Sequence, residues 1–231
     1  MMSFFKKTQL AILLCISNAA FCGAMANMVE MTSDYDGLYI GLDVTVGDFN
    51  ATITSSYPYG YIDLSDINIA GGGMIGYDFT IYDRFKLGLE FLGNANAYTA
   101  SVERFRENTT LSAEQRYNLA GRILPGFLFY PGVVGHMILG YSNAYTTLKD
   151  NGQDGFINKS GNQSGFQGGL GMKVELPAGF TFRGDIVYSI YGTLSGNGGT
   201  NNNLYEFQHY SVAPSVLEGT LSIIYKPNIS F

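Results

Sequence analysis

The chain has 231 residues, 46% of them hydrophobic and 14% charged, with 30 glycines, 17 tyrosines, 16 phenylalanines and no tryptophan. Its 13 Lys and Arg stand against 19 Asp and Glu, a net charge of −6, and an acidic surface of this kind argues against nucleic acid as a partner. No segment beyond the first 26 residues approaches the roughly 18 consecutive apolar residues that a membrane-spanning helix requires, and glycine-rich stretches interrupt every apolar run.

At the start of the chain, Lys6 and Lys7 form a short positive region, Leu10–Ile16 (LAILLCI) an apolar one, and Ala24-Met25-Ala26 an A-x-A cleavage pattern. The apolar run is too short to cross a bilayer as a helix. Met1–Ala26 is therefore expected to be a removed export signal, 27–36 a short leading segment, and 37–231 the folded part. Attachment of lipid to a cysteine is not expected, because Cys15 follows Leu14 and Cys22 follows Phe21 rather than a small residue. Those are the two cysteines of the chain, so the mature protein would have none and could not rely on disulfides. Its net charge would be −8, from 11 Lys and Arg (13 minus Lys6 and Lys7) against 19 acidic residues.

Eight segments with strand-like alternation follow, and together they make an all-β chain. Gly37–Phe49 sets Leu38, Ile40, Leu42, Val44 and Val46 against Tyr39, Gly41, Asp43, Thr45 and Gly47. Asp66–Thr80 sets Ile67, Ile69, Ile75, Tyr77 and Phe79 against Asn68, Ala70, Met74 and Asp78. Phe85–Thr99 sets Phe85, Leu87, Leu89 and Phe91 against Lys86, Gly88, Glu90 and Asn94. In Arg116–Tyr130, Tyr117, Leu119, Ile123, Phe127 and Phe129 alternate with Arg116, Asn118, Arg122 and Leu124. Val134–Leu148 is less regular, with Met137, Leu139, Tyr141 and Tyr145 opposing His136, Gly140, Ser142 and Ala144. Ser164–Leu176 opposes Phe166, Leu170, Met172 and Val174 to Gln167, Gly169, Gly171, Lys173 and Glu175. Phe180–Leu194 opposes Phe180, Phe182, Ile186, Tyr188 and Ile190 to Thr181, Arg183, Asp185, Ser189 and Tyr191. The last segment starts near His209 and ends with Leu217–Phe231 (LEGTLSIIYKPNISF), where Leu217, Leu221, Ile223, Tyr225 and Phe231 share one face and Glu218, Thr220, Ser222 and Lys226 the other.

The connections alternate as well. Three are tight, at Tyr82–Arg84, Pro131–Val133 and Pro177–Gly179, and four are long and polar, at Ala51–Ser65, Ala100–Gln115, Lys149–Gln163 and Ser195–Gln208. Sorting of this kind marks a transmembrane barrel, with short turns in the periplasm and long loops outside. An amphipathic last strand ending on Phe231 resembles the C-terminal strand of bacterial outer-membrane barrels, and the resemblance implies that Tyr225 and Phe231 belong to the signal read by the barrel-assembly machinery. Taken whole, the mature chain resembles the small porin-family barrels of the OmpA, OmpX and Opa type. The expected fold is an eight-stranded antiparallel transmembrane up-and-down β-barrel in the outer membrane. A peptidoglycan-binding domain of the OmpA kind is not expected after Phe231.

Lipid offers the backbone no hydrogen-bond partner, so the strands must close into a ring without edges, with the apolar set facing outward. A ring of eight is just wide enough for its own side chains. Its inward charges would be Asp43, Lys86, Glu90, Arg122, Lys173, Glu175, Arg183, Asp185 and Glu218, both signs together, so buried ion pairs are expected to fill the lumen, with inward glycines leaving room for the long side chains. Tyr77, Tyr130, Tyr141, Tyr188 and Tyr225 are expected in the interfacial aromatic girdles, with outer-membrane lipids and lipopolysaccharide as their surroundings.

Candidate chemistry is sparse. Gly71-Gly72-Gly73-Met74-Ile75-Gly76 fits G-x-G-x-x-G, but no βαβ unit follows, so it reads as a glycine-lined strand. Asn108-Thr109-Thr110, Asn158-Lys159-Ser160 and Asn162-Gln163-Ser164 fit the glycosylation pattern, which has little meaning in a bacterial outer membrane. His136 and His209 are the only histidines, so no metal or cofactor site is expected. His209-Tyr210-Ser211 resembles the His-x-Ser of outer-membrane lipid A deacylases, which would imply a hydrolase using His209 and Ser211 near a Glu. The Asn-Ala-Gly that follows the serine in that family is here Val212-Ala213-Pro214, and Glu218 has the opposite parity, so a non-enzymatic role is expected. The leading expectation is a structural or adhesin-like surface barrel that meets a host or extracellular ligand through its loops. Tyr57, Tyr59 and Tyr61 would be at one loop tip. A narrow solute or ion pore is the second reading.

Overall fold

The computed structural model describes residues 36–56, 59–82, 84–104, 109–151, 156–196 and 210–227. They form strands β1 (Gly37–Ser56), β2 (Tyr59–Tyr82), β3 (Phe85–Arg104), β4 (Thr109–Tyr130), β5 (Val133–Asn151), β6 (Phe156–Glu175), β7 (Phe180–Tyr191), β8 (Leu194–Gly196) and β9 (Tyr210–Tyr225). Each strand from β1 to β6 pairs antiparallel with the next, β9 pairs with β7, and β9 also pairs with β1 to close the ring. The short β8 lies along β9 where β7 would continue. Ile190 faces Ser215 and Leu194 faces Val212, so four residues of one side advance against three of the other. The ring is therefore an eight-staved antiparallel barrel, with β7 and β8 sharing one stave.

A line followed across the hydrogen-bonded pairs shows how the ring is sheared. Ile40 leads to Ile75, Phe91, Gly121, Tyr141, Phe166, Ile190 and Ser215, and returns to β1 at Asn50, ten residues from its start. Eight staves with this stagger tilt by about 40° from the barrel axis. The tight connections cluster at one end, here the turn end. Tyr130-Pro131-Gly132-Val133 joins β4 to β5 with Gly132 at φ 83°, the position where a Pro-Gly turn requires positive φ. Pro177–Gly179 forms a single 3₁₀ turn between β6 and β7.

At the other end, here the hairpin end, the strands run further than the sequence suggests. The stretches 51–65, 100–115 and 149–163, expected to be loops, are mostly strand: β1 reaches Ser56, β2 begins at Tyr59, β3 reaches Arg104, β4 begins at Thr109, β5 reaches Asn151 and β6 begins at Phe156. Tyr59 and Tyr61 thus belong to β2, opposite Ser56 and Thr54, rather than to a loop tip, and Tyr57 lies outside the described residues. Strands of 20 residues such as β1 and β3 are about twice the roughly 10 that cross a bilayer. At about 3.3 Å per residue and a tilt of about 40° they rise about 50 Å, against an apolar band of about 25 Å.

The extra length has a different chemistry. On the outside of β1, exposed Leu38, Ile40, Leu42 and Val44 give way to Asn50, Thr52 and Thr54 toward the hairpin end. On β3, Phe85, Leu89 and Phe91 give way to Thr99 and Ser101, and on β9, Tyr225, Ile223, Leu221 and Leu217 give way to Ser215 and Ser211. The inside changes in the reverse sense at the same level. Inward Asp43 and Thr45 of β1 are followed by Phe49, Ala51 and Ile53; Glu90, Asn94 and Asn96 of β3 by Tyr98 and Ala100; Thr220 and Glu218 of β9 by Val216 and Val212. Phe49, Ile53, Leu64, Leu111, Leu148 and Val216 belong to one buried apolar cluster. The half of the barrel near the turns is thus built for lipid outside and polar groups inside. The half near the hairpins is a water-type barrel with an apolar core, the arrangement that burial of apolar surface from water dictates.

Candidate functional site in the lumen

Arg183, fully buried on β7, anchors the polar layer. Its guanidinium meets both carboxylate oxygens of Glu90 on β3, with Nη2 donating to Oε1 at 3.1 Å, and its Nε donates to Asp185 Oδ2 at 2.6 Å. Arg183 and Asp185 are two residues apart on one strand and so share a face. Glu90 also accepts from Tyr39 Oη at 2.9 Å and lies 3.7 Å from Arg122 Nη1. Asp185 Oδ1 lies 3.0 Å from His136 Nε2. Nearer the turns, Asp78 receives Lys173 at 2.9 Å and Lys226 at 2.9 Å, and Glu175 lies 3.7 Å from Lys226. Lys173 Nζ is also 4.9 Å from the centre of the Tyr39 ring. Charges removed from water cost several kcal/mol each unless paired and hydrogen-bonded, and this layer pairs most of them.

Glycines make the pairing across strands geometrically feasible. His136, Gly171 and Asp185 lie in one row across β5, β6 and β7. A Cβ on Gly171 would sit 2.0 Å from Asp185 Oδ1 and 2.5 Å from His136 Nε2, so the two side chains meet over a position that must be bare. Tyr39, Gly76 and Glu90 repeat the arrangement across β1, β2 and β3, with a Gly76 Cβ 2.4 Å from the Tyr39 ring. Arg122, Gly140 and Gln167 repeat it across β4, β5 and β6, where Arg122 Nε donates to Gln167 Oε1 at 2.9 Å. Gly171→Val is accordingly expected to separate His136 from Asp185 and to cost several kcal/mol, as overpacking and a broken buried polar contact add. Heat-modifiable migration on gels after folding into detergent reads this as a fall in the folded fraction at a given urea concentration.

The nine charges expected in the lumen all take inward positions on their strands. Glu90, Arg183, Asp185 and Arg122 come together, as do Lys173 and Glu175 through Asp78 and Lys226. Lys86 stands at the turn-end rim and donates to Thr80. Asp43 and Glu218 stand apart from every ion pair among the described residues: Asp43 accepts from Thr45 at 3.4 Å and Glu218 from Tyr98 Oη at 3.1 Å. Asp78, Tyr39 and Tyr98 are members that charge and parity alone did not single out, although the inward alternation of Asp78 with Met74 and Gly76 carried the signal. Arg116, which alternation sets on the face of Asn118 and Arg122 although it is not one of the nine, sits at a register shift between Gln115 and Tyr117, and its side chain is 59% exposed.

Outside, Tyr77 and Tyr225 lie toward the turn end with Phe79, Phe85, Phe127 and Phe180, and Tyr130 closes β4 beside Pro131. Tyr225 packs on Phe180 with centroids 5.1 Å apart. Tyr141 and Tyr188 lie toward the opposite edge of the apolar belt, where Tyr117 and Tyr145 stack at 5.6 Å. Ser211 faces outward opposite Thr54, beyond the belt, while Glu218 faces the lumen, and His209 lies outside the described residues, as do Met1–Ala26 and Phe231. Groups of three or more His, Cys, Asp or Glu suited to a metal are absent among the described residues.

Comparison with known proteins places this geometry. A family model described as "Outer membrane protein beta-barrel domain" matches residues 11–213. No curated protein matches the sequence. Among solved structures, the attachment invasion locus protein Ail of Yersinia pestis is 14% identical, with 79% of this chain and 97% of that chain covered and a TM-score of 0.34. The Neisserial surface protein A is 13% identical over 81% and 96%, with a TM-score of 0.41. The outer membrane protease OmpT of Escherichia coli is 8% identical over 87% and 99%, with a TM-score of 0.43. At these scores none of them carries a residue or an activity over to this chain.

Proposed function

Because the chain belongs to the outer membrane protein β-barrel domain family, we propose that it serves as a surface barrel, structural or adhesin-like, that holds its hairpins rigidly above the outer leaflet for contact with an extracellular ligand. In this reading the turn end lies in the periplasm and the hairpin end outside, following the usual asymmetry of such barrels. The observation that carries it is the reversal of inside and outside chemistry halfway along the strands. A barrel that only needed an anchor could stop at the edge of the apolar belt. This one continues for about 25 Å as a water-type barrel with its own core. Packed apolar contacts such as Phe49 on Tyr98, with centroids 6.3 Å apart, stiffen that collar and fix where its tips stand.

The lumen supports a binding role over a conducting one. The ion-pair layer around Arg183 and the apolar cluster around Phe49 and Leu148 are stacked along the same axis, and an ion would have to cross both. A hydrolase of the lipid A deacylase type is disfavoured because Ser211 and Glu218 face opposite sides of the wall. Export by a cleaved Met1–Ala26 leader, and recognition of Tyr225 and Phe231 by the assembly machinery, complete the proposal. Replacing residues 57–58, 105–108, 152–155 and 197–209 with short Gly-Ser links should leave a folded barrel and abolish binding of expressing cells to host cells or matrix. Undiminished binding would end the adhesin reading. The intact protein in planar bilayers should give no single-channel steps, and lipid A from expressing cells should keep all its acyl chains by mass spectrometry.

A further inference from the structure

The inward glycine rows of the lumen do not all close with a bond over the glycine. In three rows, polar side chains on either side of a bare glycine bond directly over it: His136 with Asp185 over Gly171, Tyr39 with Glu90 over Gly76, and Arg122 with Gln167 over Gly140. A fourth row has the same construction across β1, β2 and β3, with Asp43 opposite Gly72 and Gly72 opposite Asn94. Here no bond forms. Asp43 Oδ2 and Asn94 Oδ1 are both buried and both without a partner. The Asn94 oxygen leans over the glycine, 2.1 Å from where a Gly72 Cβ would be. Ser222, directly opposite Asp43 on β9, also has a buried hydroxyl without a partner.

Two unpartnered buried acceptors in one row, on either side of a bare position, call for a positive or donating group. Arg183 is held by Glu90 and Asp185, Lys173 and Lys226 by Asp78, and Arg122 through its Nε by Gln167, while Arg122 Nη1 lies 3.7 Å from Glu90 and makes no hydrogen bond. A buried carboxylate without a counter-charge is costly. One carboxylate oxygen, one amide oxygen and neutral hydroxyls from Ser222 and Thr45 form a hard oxygen donor set of low total charge. Such a set suits a small monovalent cation better than a divalent one, which gathers several carboxylates.

We propose that the lumen binds one sodium-type monovalent cation over Gly72, bridging Asp43 and Asn94, with the Ser222 hydroxyl as a further ligand. The site is a fixed part of the polar layer and does not depend on the hairpin tips being an interaction surface. The test is thermal unfolding of the refolded barrel in an uncharged detergent at constant ionic strength, with choline chloride replaced stepwise by sodium chloride. The wild type should gain stability saturably with sodium. Asp43→Asn should raise the apparent dissociation constant at least tenfold, and in choline alone it should be the more stable of the two, because it removes an uncompensated charge. A second measurement needs no variant to fold: crystals of the wild type grown in rubidium chloride should show an anomalous peak between Asp43 and Asn94. Equal melting in sodium and choline, sodium dependence retained in Asp43→Asn, or a crystal showing the Asn94 amide turned to donate directly to Asp43 with no ion between would each overturn the proposal.

Discussion

Replacing Arg183 with methionine is expected to cost about 3–5 kcal/mol of folding stability, the penalty for removing one partner of a buried ion pair and leaving the other uncompensated. Here the single change strands two carboxylates, because Arg183 is held between Glu90 and Asp185 with almost no exposure of any of the three. The effect should depend on the charges left behind rather than on the lost volume. Arg183→Met combined with Glu90→Gln and Asp185→Asn is therefore expected to recover at least half of the loss, since groups sharing one network do not add. The measurement is urea unfolding from lipid vesicles followed by far-UV circular dichroism and gel migration, the chain having no tryptophan to report on. A triple variant as unstable as the single one would show that Arg183 acts by packing and not by charge.

The second large effect concerns where lipid ends. Leu42 and Thr52 are both outward on β1, ten residues apart, the first 73% exposed within the apolar belt and the second beyond it. Arginine at Leu42 is expected to cost about 2–4 kcal/mol, as a charge on the lipid face near the middle of the bilayer does, whereas arginine at Thr52 should cost close to nothing. Inside the barrel the ordering should reverse in kind. Ala100→Arg would place a charge in the apolar core of the collar and prevent that half from packing, although the same residue type is a normal occupant of the lumen at Arg122. Stability of these three variants in vesicles locates the membrane edge on the molecule. A cost at Thr52 equal to that at Leu42 would mean that lipid reaches the collar.

Much of the fold was legible because lipid imposes one rule on every strand. Leu38, Ile40, Leu42 and Val44 alternating with Tyr39, Gly41 and Asp43 can mean little else once seven further segments repeat it. The collar was misread as loops for a physical reason. At Ala51–Thr54 the alternation persists, but its two faces exchange environments. Thr52 and Thr54 are outside and Ala51 and Ile53 inside, so a reader following apolar residues as the outer face loses the strand at Asp48. Arg116 leaves the face of Asn118 and Arg122 because a bulge of one residue changes parity without any glycine or proline to announce it. In the lumen, parity found nine of the charged side chains, Asp78 not among them, but not their partners. That His136 meets Asp185, or that Tyr39 meets Glu90, depends on which glycine falls between them in register, and register is a property of two chain segments together. Inward glycines were read as spare room. The rows show them as the crossing points over which particular side chains meet.

The exchange of faces partway along the strands separates anchoring from reach. Because side chains alternate with a period of two, removing two residues from each arm of a hairpin returns every remaining residue to its own side. Such a deletion in the collar, taking Thr52 and Ile53 from β1 with their partners Asp63 and Ile62 from β2, leaves the lipid-facing surface and the Arg183 layer untouched. Applied around the ring, it would lower the tips by about 5 Å. Height above the membrane is thus an adjustable dimension of this architecture, tunable in even steps, while the part that must satisfy the bilayer stays constant.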